Sequence, residues 1–302
     1  MTVSEGIEGR RLEGTVRPPS PVRLPSRTAP DGVLRSEGGI VSRLLHIGDS
    51  AIVVRAWQTA EGAVRLQAQG DADGDALELA VDRMRFALSL DDDLGEFYAR
   101  FKNDALLGAV IRRKPWIRPR RRPWPWEALA WAIVAQLIES QRAEAIQRRV
   151  VDRWGRRGPA GLRDVPRPEL VAERAPAELA ALDLAPKRAL ALIRCAKETA
   201  TGRSDLGGPD GDRRLLAIPE IGPWTVQLLA LNGRGDHDSL PAGDLAYLKL
   251  VGRLANLGRR ATIAEVDEFF APYAPYRGLA GQFALVGLHR AIAQGPPLRL
   301  AA

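Results

Sequence analysis

The sequence predicts an α+β protein: a small antiparallel sheet carrying a helix, followed by a mainly α-helical region. Three observations predict it. Between residues 33 and 90, short Val-, Ile- and Leu-rich runs are separated by turn residues such as Gly48-Asp49 and Glu61-Gly62. From Asp91 onward apolar residues recur at helical spacing, first at Leu94, Phe97, Phe101, Leu106, Leu107 and Val110. Prolines and glycines punctuate that second part without a repeat of fixed period.

Residues 1–32 are rich in Gly, Pro, Ser and Arg. Pro18, Pro19, Pro21, Pro25 and Pro30 exclude regular helix, so this segment is expected to be flexible or extended, with a candidate strand at 12–16. Residues 33–90 form the expected α/β domain. Strands are predicted at 40–45, 51–57 and 63–67, then an acidic loop at 71–75, a helix at 76–81 and a further strand at 84–90.

Residues 91–302 form the expected all-α region of two helical lobes. After the helical pattern at 94–110 comes a Pro-broken basic loop at 112–123, containing Arg112, Arg113, Lys114, Trp116, Arg118, Arg120, Arg121 and Arg122. Two readings of that loop stay open: it tracks a nucleic-acid backbone, or it is a solvated linker. The most helical stretch is 126–154, where Trp126, Ala130, Ile133 and Leu137 share one face. Arginines gather at its C-terminal end, where the helix dipole favours cations. Further helices are predicted at 189–199, 263–270 and 280–293.

Composition narrows the function classes. The chain has 302 residues and a formal charge of +7. Arginine supplies most of the positive charge, which suits phosphate contacts. Cys195 is the one cysteine, so an intrachain disulfide framework and a four-cysteine iron–sulfur cluster are both excluded. His46, His237 and His289 are too far apart in sequence to show a metal-ligand spacing. Asp91, Asp92 and Asp93 read as an acidic helix start rather than a cation site. No apolar run approaches the roughly 18 residues of a membrane span, and no apolar leader opens the chain. A cytoplasmic protein without membrane attachment is expected.

The stretch from Ile218 to Asp244 carries the most information. Pro219 and Gly222-Pro223 predict a short turn between two helical segments, the second starting near Pro223. A helix start of that kind suits an anion such as a phosphate. Gly243 and Asp244 then precede another helical pattern, placing one carboxylate at its start. Asp is also a favoured plain N-cap, so cap and chemical group are compatible roles.

Hairpin, Trp224 and Asp244 at this spacing resemble the helix-hairpin-helix, Gly/Pro…Asp motif of the DNA glycosylase superfamily, with the nearest likeness to its 3-methyladenine DNA glycosylase II (AlkA-type) branch. The resemblance is strongest over residues 126–257. It implies double-stranded DNA carrying a damaged base as partner, with the protein nucleoid-associated through that DNA, and an α/β N-terminal domain ahead of the helices. It implies Asp244 as the catalytic carboxylate, stabilising the positive charge that develops on the sugar. The bifunctional glycosylase/lyases place a lysine nucleophile where Trp224 stands. Trp224 therefore implies direct hydrolysis by water, and its ring face suits a cationic alkylated purine.

The resemblance also gives Trp224, Tyr276, Gln136, Leu228 and Trp126 as base-pocket candidates. Tyr276 stands where the branch has a tryptophan, and Leu228 where it commonly has an aromatic. Glu220, Gly222, Pro223 and Thr225 would hold the DNA at the hairpin, although Glu220 replaces a usual glycine. Leu137 would wedge into the gap left by a flipped base; the residue pattern alone makes it a core leucine. The carbonyls of Leu216, Ile218 and Ile221 match positions that coordinate Na⁺ or K⁺, and no cofactor is required. The expected function is excision of alkylated bases by a monofunctional glycosylase in base excision repair. The alternatives are a non-catalytic DNA-binding relative, or a glycosylase of the same fold for deaminated or oxidised bases.

Overall fold

The structure, a computed structural model, describes residues 9–294, with side chains through residue 287. The first eight residues of the expected N-terminal segment lie outside the described residues, as does the His289 side chain. Five strands form one antiparallel sheet: β1 (Arg10–Val16), β2 (Leu34–Glu37), β3 (Ile40–Ile47), β4 (Ser50–Gln58) and β5 (Val64–Gly70), in the order β1-β5-β4-β3-β2. The two-residue turn Gly48-Asp49 sets the β3–β4 register, pairing Ile47 with Ser50. β1 and β2 are the edge strands, and β1 pairs with β5 along its whole length. β2 escapes sequence reading because Leu34-Arg35-Ser36-Glu37 holds a single apolar residue.

One face of the sheet is covered by α1 (Gly74–Ala87), capped by the Asp73 carboxylate on the Ala76 N–H at 2.8 Å. Leu77, Ala80 and Met84 pack with Val41, Leu45, Ile52 and Val54. This corrects the strand predicted at 84–90. Met84 falls on the same helical face as Leu77 and Ala80, and a short apolar run does not distinguish helix from strand.

The rest is helical: α2 (Gly95–Phe101), α3 (Gly108–Arg113), α4 (Pro125–Ala135), α5 (Ser140–Trp154), α6 (Pro168–Ala172), α7 (Pro176–Ala180), α8 (Pro186–Ala200), α9 (Asp212–Leu216), α10 (Pro223–Leu229), α11 (Leu245–Leu254), α12 (Ile263–Phe270) and α13 (Arg277–Gln294). The helices build two apolar cores. The first gathers α4 to α10 around Leu129, Ile133, Leu192, Leu215 and Leu229. The second gathers α2, α3 and α11 to α13 around Phe97, Tyr247, Leu250, Phe270 and Phe283. No helix among the described residues is long and apolar enough to cross a membrane.

A buried ionic network joins sheet to helices. Arg43 of β3 binds Glu127 of α4, and both side chains are almost fully inaccessible. Arg122 reaches Glu127 at 3.1 Å and Asp31 at 2.7 Å. Nearby, Asp164 accepts from the His46 backbone N–H at 3.0 Å and from Arg156 at 3.2 Å. Each buried carboxylate thus has cations or N–H donors around it, the condition on which a charge is tolerated inside a protein.

Candidate active site

The hairpin closes on two backbone bonds. The Ile221 N–H donates to the Ile218 carbonyl at 3.0 Å, and the Thr225 N–H to the Gly222 carbonyl at 3.0 Å. Gly222 is the N-cap of α10 and Pro223 its first residue. No atom lies within 4 Å of where a Cβ on Gly222 would stand, so the backbone there is open to close approach. Glu220, at the tip, has φ 72°, in the left-handed region that favours glycine. Its side chain is exposed and meets Lys187 at 3.8 Å.

Gln136, the C-cap of α4, holds this turn. Its Nε2 donates to the Glu220 carbonyl and to Thr225 Oγ1, both at 2.9 Å, while its own carbonyl accepts from Arg188 at 2.6 Å. Gln136 thus braces the hairpin from the end of α4. Thr225 is 1% exposed, with its hydroxyl taken by Gln136 and its N–H by Gly222, so it supports the turn from inside. Leu137 also departs from the apolar face predicted for it. α4 ends at Ala135, and Leu137 stands at φ 54° with 97% of its surface exposed.

Trp224 on α10 and Asp244 are brought together. Asp244 is the N-cap of α11: its Oδ1 accepts the Ala246 N–H at 2.8 Å, and its Oδ2 accepts the Trp224 indole N–H at 3.2 Å. Both side chains are partly exposed. α10 is packed into the first helical core and α11 into the second, so the carboxylate lies where the two meet. Tyr247 lies close behind. Burial, aided by the Asp244 charge, pushes its hydroxyl above the usual phenol range, so it is neutral there and accepts from Gln282 at 3.1 Å. Leu228 follows Trp224 by one turn on the same face of α10 and is half-buried.

Three other expectations fall elsewhere. Trp126 is 8% exposed and its indole N–H donates to the Pro166 carbonyl at 3.0 Å. It sits about ten residues, roughly 15 Å, from Gln136 along α4, so it belongs to the core at the other end of that helix. Tyr276 packs edge-on against Phe97 of α2 at 5.5 Å, at the border of the second helical core. The basic loop turns largely inward. Arg121 binds Asp92 at 2.7 Å and Arg122 binds Asp31 and Glu127, while Arg120 faces out with 80% of its side chain exposed. Asp31 and Asp92 lie far away in sequence and Glu127 sits beyond a turn, which is why spacing did not reveal them.

Lys187 and Arg188, beside the hairpin, are the residues sequence reading passed over. Two cations in the first turn of α8 oppose the helix dipole, and that is the signal they carry. Among the described residues no group of three or more His, Cys, Asp or Glu side chains is placed to hold a metal ion.

No family model matches the sequence. The chain is 31% identical over 230 residues to the probable bifunctional transcriptional activator/DNA repair enzyme AlkA of Mycobacterium tuberculosis, an alignment covering 73% of this chain and 45% of that one. It is 26% identical over 200 residues to the DNA-3-methyladenine glycosylase of Bacillus subtilis, covering 63% of this chain and 66% of the relative. The chain thus spans about half the length of the first of these curated relatives. Its structure superposes on the 3-methyladenine DNA-glycosylase from Archaeoglobus fulgidus with a TM-score of 0.78 at 21% identity, over 92% of this chain and 99% of the other. The fold is that of the helix-hairpin-helix DNA glycosylases. Within that fold, the sequence is similar to the AlkA-type 3-methyladenine glycosylases.

Proposed function

We propose that this protein is a monofunctional DNA glycosylase that excises alkylated purines of the 3-methyladenine kind from duplex DNA. The observation that carries the reading is the Asp244 carboxylate at the junction of the two helical cores, oriented by the Trp224 indole N–H. Cleaving an N-glycosidic bond builds positive charge on the sugar, and a fixed, oriented carboxylate stabilises it without reorganising. The same carboxylate can orient the attacking water. An indole stands where a lyase would carry its amine, so the chemistry is direct hydrolysis and requires no cofactor. An alkylated purine is already cationic and leaves readily, and the face of Trp224 suits such a base.

The open backbone at Gly222, with Lys187 and Arg188 beside it, would take a DNA phosphate. The exposed Leu137 would fill the gap left by the flipped base. The carbonyls of Leu216, Ile218 and Ile221 would hold a monovalent cation at the turn. The protein would be cytoplasmic and associated with the nucleoid through DNA. Leu228, smaller than an aromatic, favours a wide pocket and broad substrate choice; deaminated or oxidised bases are the second reading on that ground.

Single-turnover release of free base from methylated duplex DNA tests the proposal, with wild type beside Asp244→Asn and binding measured at fixed salt. Release by wild type, lost in the variant with binding retained, supports it. Binding without release in both proteins overturns it in favour of a non-catalytic DNA binder.

A further inference from the structure

A recess of about 530 Å³ opens where β3, the start of α4, the loop at 156–168 and the end of α8 meet. That volume lies within the roughly 300–1,000 Å³ of small-molecule sites. Its position separates it from the Trp224–Asp244 junction. α4 and α8 each send one end to the hairpin, through Gln136 and Arg188, and the other end to the recess, through Trp124 and Thr199. About ten helical residues, roughly 15 Å, lie between.

Its walls carry unspent polar capacity. Arg156 and Arg167 both line it, near enough that the Arg167 charge adds to burial in lowering the Arg156 pKa. Arg156 gives one nitrogen to Asp164 at 3.2 Å and another to the Gly48 carbonyl at 3.3 Å, while its Nε is buried without a hydrogen-bond partner. Ser204 lines the recess and is 4% exposed, and its buried hydroxyl also has no partner. A buried polar atom left unpaired is uncommon and calls for an explanation. His46 lies on the wall with its Nδ1 3.1 Å from Asp164, which leaves Nε2 as its other polar atom. Trp124 supplies a half-buried flat surface. Asp205 is the one carboxylate on the lining, and its Oδ1 is already held by the Gly207 N–H at 2.8 Å.

We propose that this recess binds a small anion with a flat ring, of the nucleoside monophosphate class. The two arginines take the phosphate as charge-assisted donors. Trp124 stacks the ring. Ser204 gains the partner it lacks. This site does not depend on the chemistry assigned to Asp244.

Isothermal titration of the full chain with adenosine 5′-monophosphate, adenosine and inorganic phosphate tests it. The nucleotide is expected to bind one to one, with the two fragments weaker by about tenfold or more. Arg167 is exposed, so Arg167→Glu should fold normally and weaken nucleotide binding by about tenfold or more. Asp244→Asn should bind it as wild type does, and Trp124→Ala, checked by thermal melting, should weaken it. A 5′-phosphorylated oligonucleotide that competes where its unphosphorylated twin does not would assign the phosphate to a strand end; without such competition it belongs to the free nucleotide. Absence of nucleotide binding, or binding unchanged in Arg167→Glu, overturns the proposal.

Discussion

The indole N–H of Trp224 and the carboxylate of Asp244 form one hydrogen bond across two helices, at 3.2 Å, while the other carboxylate oxygen caps α11. Cap and charge can be separated by mutation, because Asn caps a helix about as well as Asp. Asp244→Asn is expected to leave stability within about 0.5 kcal/mol and to slow base release by about 10²- to 10³-fold, as loss of one transition-state stabiliser does. Trp224→Phe keeps the ring and removes the N–H, and should slow release by about tenfold, one net hydrogen bond. Single-turnover rates beside thermal melts check both. An Asp244→Asn protein releasing base at the wild-type rate would reduce Asp244 to a cap.

Glu220 holds a left-handed backbone with a side chain that glycine would lack. Glu220→Gly should stabilise the fold by about 1 kcal/mol through relief of that strain. It also removes a negative charge from the hairpin, so DNA should bind more tightly at low salt, with the gain shrinking as salt rises. Binding isotherms at two salt concentrations decide the matter, and weaker binding by the variant would refute the expectation.

Leu137 is nearly fully exposed. Leu137→Ala should therefore change stability by less than about 0.5 kcal/mol, against the about 2–5 kcal/mol of a core leucine. Base release from duplex DNA should fall in the same variant. Equal rates for the two proteins would remove Leu137 from the DNA-handling surface.

Cys195 is buried, and burial pushes its thiol up to about 12. A thiol-disulfide reagent at pH 8 should leave the native protein unlabelled and label one thiol per chain after denaturation. The folded pKa is raised above the unfolded value, so the linked contribution is fully present below that value and is lost as pH rises through the alkaline range toward about 12. Denaturant melts at neutral and alkaline pH should show stability falling in that direction.

Much of the fold was legible because its signals are local. β3, β4 and β5 were readable from apolar runs divided by turn residues, and α10 and α11 from Pro223 and Asp244 at their starts. The Trp224–Asp244 contact was not legible: the motif resemblance gave the two residues separate roles, and no spacing rule brings an indole to a carboxylate twenty residues on. Leu137 was misplaced by periodicity because α4 stops two residues before it. The arginines of 118–122 read equally as a DNA-facing loop or a solvated linker, because Asp31, Asp92 and Glu127, which turn Arg121 and Arg122 inward, are distant in sequence or sit beyond a turn.

The Arg43–Glu127–Arg122–Asp31 network sets how this chain can be cut. Its members come from the N-terminal segment, the sheet, the 118–122 loop and α4. A fragment starting at residue 91 would keep Glu127 and lose both Arg43 and Asp31. A fully buried carboxylate would then retain one cation in place of two, and breaking such a pair costs about 3–5 kcal/mol. Sheet and helices are therefore one inheritable unit: a recombinant helical half would need its own replacement at position 127 before it could stand alone.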